Sequence, residues 1–187
     1  MSARHGLNKA GIVRAAGKLA DALGLHKLTM SLLAEHLGVR TPSLYNHVNG
    51  LEELRRELSL LGLEELNGRL QRAAMGRSGL DAIQAMLHAY RAFAKERPAL
   101  YEATLRAPDN EDAALETAAH AIVDTVLTVL QPFHLQQNDA IHLVRGFRAI
   151  GHGFAALEAA GAFGMALDVD ESYRRLIAAF LAGMEQR

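Results

Sequence analysis

Thr41, Ser43, Tyr45, Asn46 and His47 crowd into seven positions of the chain. They bring two aliphatic hydroxyls, a phenol, an amide and an imidazole, with no carboxylate among them. Such a set donates and accepts hydrogen bonds without repelling an anion. It suits phosphate oxygens and the base edges of a major groove. Catalytic constellations are harder to find. The chain has no cysteine, which excludes a thiolate nucleophile, a disulfide framework and a cysteine zinc site. No two histidines stand four apart, and His88, His120, His142 and His152 are scattered, so no metal site is expected. There is no Gly-Xaa-Ser-Xaa-Gly elbow, no phosphate-binding glycine loop and no working pair of carboxylates. A helical enzyme is therefore the weakest function class, and no cofactor is expected.

The elements that would position the polar set are three short helices. In "NKAGIVRAAGKLADALG", Ile12, Ala16, Leu19, Ala20 and Leu23 mark one face, Asn8 suits the N-cap and Gly24 the end. In "KLTMSLLAEHLGV", Thr29 suits an N-cap, Met30, Leu33, Ala34 and Leu37 form the inner stripe, and Gly38 supplies a left-handed turn residue. Thr41 then caps a third helix with Pro42 at its first position, where a missing N–H costs nothing. Leu44 and Val48 are its inner pair, so little of this helix is spent on burial. A helix ended by glycine, a short turn and a capped second helix make a helix-turn-helix.

Charge is divided unequally. Residues 1–50 carry six Lys/Arg against two acids, while the other 137 carry 14 against 19. The first fifty residues are thus at +4 within a chain of net charge −1, either as the mark of a polyanion partner or as chance asymmetry.

Beyond Gly50 the pattern predicts a helix over 50–74, with Leu51, Leu54, Leu58 and Leu61 as its stripe. Further helices are expected at 80–96, at "ALYEATLR", over 111–131 and from about Asn138 to Gly161. "APDNED" reads as a capped turn, and Asp170 caps a last helix. Half the residues are hydrophobic and only four are proline, which favours an all-α protein of about nine helices. It would join a three-helix module, 1–50, to a helical-bundle domain, 51–187. No run of about 18 apolar residues is apparent, and "MSARHGLNKAG" lacks an apolar signal-peptide stretch. A cytoplasmic protein with no membrane partner is expected.

The stretch "NKAGIVRAAGKLADALGLHKLTMSLLAEHLGVRTPSLYNHVNGLEEL" resembles the TetR family of dimeric transcriptional repressors. The specific part is Pro-x-Leu-Tyr-x-His following Leu-Gly-Val. The resemblance implies a ligand-responsive repressor that binds a palindromic DNA operator as a homodimer and is released by a small-molecule effector. It implies that Thr29 holds a phosphate and that Thr41, Pro42 and Ser43 face bases, with Pro42 against a thymine methyl. Tyr45 and His47 would contact the phosphate backbone, and Arg40 a guanine or a phosphate. Ser31, Asn46 and Asn49 complete the implied DNA-facing set, Asn46 as a base reader or a solvated neighbour. One departure stands out. The family usually has lysine in the turn after Tyr-x-His-Val and at the next helix start, whereas this chain reads Asn49-Gly50-Leu51. A backbone N–H there could serve instead, with a gentler salt dependence. A helical interaction protein that has lost DNA binding is the alternative.

The body resembles a subclass whose effector domain is named for a Trp-His-Gly motif, through "YRAFAKERPALYEATLRAP" and "VRGFRAIGHGFAALEAAGAF", although the tripeptide here is Gly151-His152-Gly153. Tyr90, Phe93, Tyr101, Thr104 and Phe147 are candidates to line an effector cavity, with His152 either a polar group in it or a satisfied core histidine. Leu143, Phe147, Ile150, Phe154 and Leu157 form one stripe, while Gly146, Gly153 and Ala160 form a small-residue seam. Tyr173, Leu176, Ile177, Phe180 and Met184 form an apolar stripe on the last helix. The resemblance implies a dimer interface built from the last two helices of each subunit.

Overall fold

The computed structural model describes residues 7–105 and 112–185. "APDNED" lies outside the described residues except for Asp112. Among the described residues there are nine α-helices and no strand. The chain forms two compact units, one of residues 1–65 with 97–118 and one of 66–96 with 119–187. These units do not divide at residue 50. The segment after Glu96 returns to the N-terminal module.

In the first unit, α1 (Lys9–Leu23) starts on Asn8, whose side chain accepts the Gly11 N–H. It buries Ile12, Val13, Ala16, Gly17 and Ala20. Leu19 is only half-buried and Leu23 is 41% exposed, so the inner face is turned from the expected one. The cause is a second neighbour. Helix α6 (Pro98–Ala103) packs on α1, and a Cβ at Gly17 would lie 3.3 Å from Leu100 Cδ2. Asp21 accepts from Arg97 Nε at 2.7 Å and from the Ala99 N–H at 3.0 Å, and Arg97 also pairs with Glu65. Pro98, expected only to stop the preceding helix, opens α6.

Helix α4 (Leu51–Ala74) buries Leu54, Leu58, Leu66 and Leu70 completely or nearly so. Gly62 fills the gap in this four-residue spacing. A Cβ there would lie 2.7 Å from the Leu100 carbonyl oxygen, so only glycine admits α6 so closely. Leu51 and Leu61, placed in the stripe by spacing alone, are half-buried.

The second unit is built on α5 (Gly79–Glu96), α8 (Gln137–Ala159) and α9 (Val169–Glu185). Tyr173 is 0% exposed and donates its hydroxyl to the Leu87 carbonyl at 2.7 Å. The N-cap of α9 is Asp168, whose carboxylate accepts the Asp170 N–H at 2.9 Å. Asp170, the expected cap, is instead drawn to Arg91 at 2.7 Å.

Helix α7 (Ala113–Leu130) corrects another expectation. Within Ala113–Phe133 an 18-residue window has a mean hydropathy of 1.4, so by length and composition the segment could cross a membrane. Charge and hydrogen bonding tie it to the bundle instead. Within the first unit, Asp112 caps its start and receives Arg56 Nε and Nη2. Within the second, Gln71 donates to Thr125 Oγ1, which donates to Asn67.

Candidate nucleic-acid interface

The helix-turn-helix occupies Thr29 to Asn49. Helix α2 (Met30–His36) begins on Thr29, whose Oγ1 accepts the Leu32 N–H at 3.2 Å. It ends in a Schellman arrangement: the Val39 N–H reaches the Ala34 carbonyl and the Gly38 N–H reaches that of Glu35, both at 3.0 Å. Gly38 sits at φ +65°, the left-handed region this turn requires.

Helix α3 (Thr41–Tyr45) follows after the four residues Leu37 to Arg40. Its N-cap is Arg40, with no side-chain capping bond, so Thr41 is the first helical residue rather than the cap. That frees the Thr41 hydroxyl from a capping role. Leu44 is 0% exposed and Val48 1%, as their spacing requires. The rest of the helix faces outward: Tyr45 is 52% exposed, Arg40, Pro42 and Asn46 are exposed, and Thr41, Ser43 and His47 are half-buried. Thr29, Ser31 and Asn49 are exposed as well. The ten sequence-selected residues thus lie on one short segment with its apolar side sealed.

The start of α4 is organised differently from the expectation. The Asn49 N–H donates to Glu53 Oε2 at 2.6 Å, and Lys9 Nζ donates to Glu53 Oε1 at 2.8 Å. Lys9 also meets Glu57 at 2.9 Å. The Lys9 ammonium and the Asn49 amide hold the Glu53 carboxyl below its ordinary range. The Asn49 N–H is therefore occupied by a carboxylate. Elsewhere in the module Arg14, Lys18, Lys27 and Arg40 are exposed and make no ion pair among the described residues. Their charge is available to a polyanion.

The effector candidates fall in both units. Tyr101 and Thr104 belong to the first, where the Thr104 hydroxyl donates to the Tyr101 carbonyl at 2.7 Å. Tyr90, Phe93, Phe147 and His152 belong to the second. There Tyr90 and Phe147 meet edge to face, 6.2 Å between centroids, and Phe93 lies 5.3 Å beneath the Arg69 guanidinium. A Cβ at Gly151 would stand 3.0 Å from the Tyr90 ring, which accounts for the glycine beside His152.

The terminal-helix stripe splits. Tyr173, Ile177 and Met184 are buried inside the single chain and have no surface left for a partner. Leu176 is 39% exposed and Phe180 half-buried, its ring 3.0 Å from a Cβ built at Gly146. Gly153 is half-buried, and a Cβ there meets nothing within 4 Å.

One cluster escaped the sequence reading. Arg91 is 8% exposed, pairs bidentately with Glu158 at 2.7 Å and stands over the rings of Phe154 and Tyr173. Lys95 joins Glu158 at 2.9 Å. The one available signal was a cation placed within the apolar face of α5, next to Leu87, Tyr90 and Ala94.

A family model described as tetracyclin repressor-like, C-terminal domain, matches residues 83–180. The chain is 38% identical over 185 residues to the uncharacterized HTH-type transcriptional regulator YobS of Bacillus subtilis (strain 168), covering 98% of this chain and 96% of that one. The chain belongs to the TetR family. It is a ligand-responsive transcriptional regulator with a helix-turn-helix that binds DNA, in a family whose regulators are dimeric. Solved structures share the fold. A protein of unknown function from Rhodococcus sp. RHA1 matches with TM-score 0.82 at 23% identity, covering 98% of both chains. A TetR variant from Acinetobacter baumannii AYE in complex with minocycline matches with TM-score 0.73 at 20% identity, covering 97% of this chain and 98% of that one.

Proposed function

We propose that this regulator is a homodimeric repressor that places α3 of each subunit in a major groove of a palindromic operator and is released by a small-molecule effector. The observation that carries the reading is the outward face of α3, a sealed helix presenting Tyr45, Asn46, Pro42 and Ser43 after a glycine turn. Four exposed cations on the same module, without an ion pair among the described residues, supply the sequence-independent attraction. Half-sites lie about one helical turn, ~34–36 Å, or a multiple apart. Residues 1–50 read DNA, and 51–187 hold effector and partner. The effector domain is of the Trp-His-Gly type, on the two stretches that resemble it. The protein works in the cytoplasm, without a membrane, a cofactor or catalysis of its own.

Tyr90, Phe93, Tyr101, Thr104, Phe147 and His152 serve the effector, an aromatic-lined set suited to a largely apolar molecule with a few polar groups. Dimerisation uses the half-buried small-residue seam of α8, with Gly146 and Gly153, together with Leu176 and Phe180 of α9. Turning the switch from mostly bound to mostly free needs about 5 kcal/mol of differential effector binding.

The alternative, an interaction protein without DNA binding, draws on Glu53 occupying the Asn49 N–H. Selection from a random duplex pool separates the two. Recovery of an inverted repeat bears the repressor reading out, and recovery of no sequence contradicts it.

A further inference from the structure

The connection between α8 and α9 is the least polar exposed segment of the described chain. Residues 159–167, "AAGAFGMAL", contain no polar side chain, and every one of them is exposed. Met165 is 79% exposed and Leu167 71%, with Phe163 at 36% and Leu157, one turn earlier, at 49%. Large apolar side chains exposed one at a time are ordinary on a protein surface. Four within eleven residues, with no charge between Glu158 and Asp168, are not.

The segment is anchored rather than adrift. Phe163 stacks on Phe154 with 4.7 Å between centroids, and Phe154 lies 4.6 Å from the buried Tyr173. Glu158 and Asp170, just outside its two ends, are both fastened to Arg91. The Ala162 N–H closes on the Leu157 carbonyl at 2.9 Å over Gly161 at φ +64°. Met165 and Leu167 are thereby held outward at the tip, with a 2.8 Å bond from the Leu167 N–H to the Met165 carbonyl between them.

We infer that residues 159–167 form an apolar arm that packs against a second copy of this chain. The inference rests on the dimer reading above and deepens it. Regulators of this family are dimeric, so a second copy is at hand. The arm continues without a break from the two helices proposed as the interface, and Leu157 and Ala159 on α8 are exposed at its root. In a two-fold dimer each arm is covered once, so the apolar surface is buried on both subunits and the assembly closes.

The test uses the full chain in sedimentation velocity over a concentration series. Met165→Ser with Leu167→Ser is compared with wild type and with Met75→Ser, another exposed methionine, 71% exposed on a different element. The arm predicts that the double variant dimerises at least about tenfold more weakly, while Met75→Ser matches wild type. All three should keep the same helical content by circular dichroism. A dimer constant unchanged in the double variant overturns the arm and leaves the dimer reading standing. A wild type that stays monomeric throughout overturns both. Because the chain has no cysteine, Met165→Cys also gives a single thiol for a photo-crosslinker. Covalent dimer is the expected product. Flotation of wild type with phospholipid vesicles, with no crosslinked dimer, would show that the arm meets a membrane instead and overturn the inference.

Discussion

Glu53 accepts the backbone N–H of Asn49 at 2.6 Å, and this fixes a carboxylate at the start of α4, beside the Asn49-Gly50-Leu51 turn. The same carboxylate is held by Lys9 from α1. A negative group at the edge of a phosphate-binding surface weakens attraction at a distance set by ionic screening.

Glu53→Gln keeps an acceptor for Asn49 and removes the charge. It should tighten operator binding about threefold at low salt, with the gain shrinking as salt rises. Fluorescence anisotropy at two ionic strengths reads both numbers. Weaker binding at both would mean that the Lys9–Glu53 pair matters more as a brace than as a repulsive charge.

Tyr45 is half exposed and buries no core surface. Tyr45→Ala should weaken binding to every duplex by a similar factor, about tenfold, because a phosphate contact positions without reading sequence. The melting temperature should stay within a degree or two of wild type. Unaltered affinity would remove Tyr45 from the interface.

Gly153→Leu separates fold from assembly. A side chain there meets nothing within 4 Å in the single chain, and leucine is the better helix former by about 0.8 kcal/mol. The subunit should gain stability while the dimer dissociates, read by sedimentation beside a thermal melt. A stable variant that remains dimeric would move the interface off this side of α8.

The Arg91 hydrogen bonds hold the Glu158 carboxyl down to about 2, against an ordinary value of 4.5. A depressed carboxyl stabilises the fold fully above its unfolded pKa. That contribution is lost as pH falls from about 4.5 toward 2. Glu158→Gln should cost about 2 kcal/mol at pH 7 and flatten the acid limb of the stability profile. Urea titrations at pH 7 and pH 3 check this. An equal loss at both pH values would assign the cost to packing rather than to charge.

How far the sequence carried the account depended on what decided each residue's place. Leu44, Val48, Gly38 and the Thr29 cap were legible because capping and burial at short range are local. Leu19 and Leu23 were misplaced because α6, whose contacts with Asp21 span 76 and 78 residues of chain, takes the opposite side of α1. Tyr173 reads as an exposed stripe residue until Leu87 and Arg91 are seen to enclose it. Asp168 rather than Asp170 caps α9 because Arg91 claims Asp170, a choice no local pattern encodes. The apolar length of α7 was missed because Glu116, His120 and Asp124 interrupt it by eye without lowering its mean hydropathy below a spanning helix's.

The most direct test of the central claim is a titration of the purified protein against duplex DNA from upstream of its own gene, repeated from about 50 to 200 mM salt. The account predicts saturable binding that weakens steadily with salt and is weakened about tenfold further by Tyr45→Ala. No binding at the lowest salt, with the protein folded and dimeric, would contradict it.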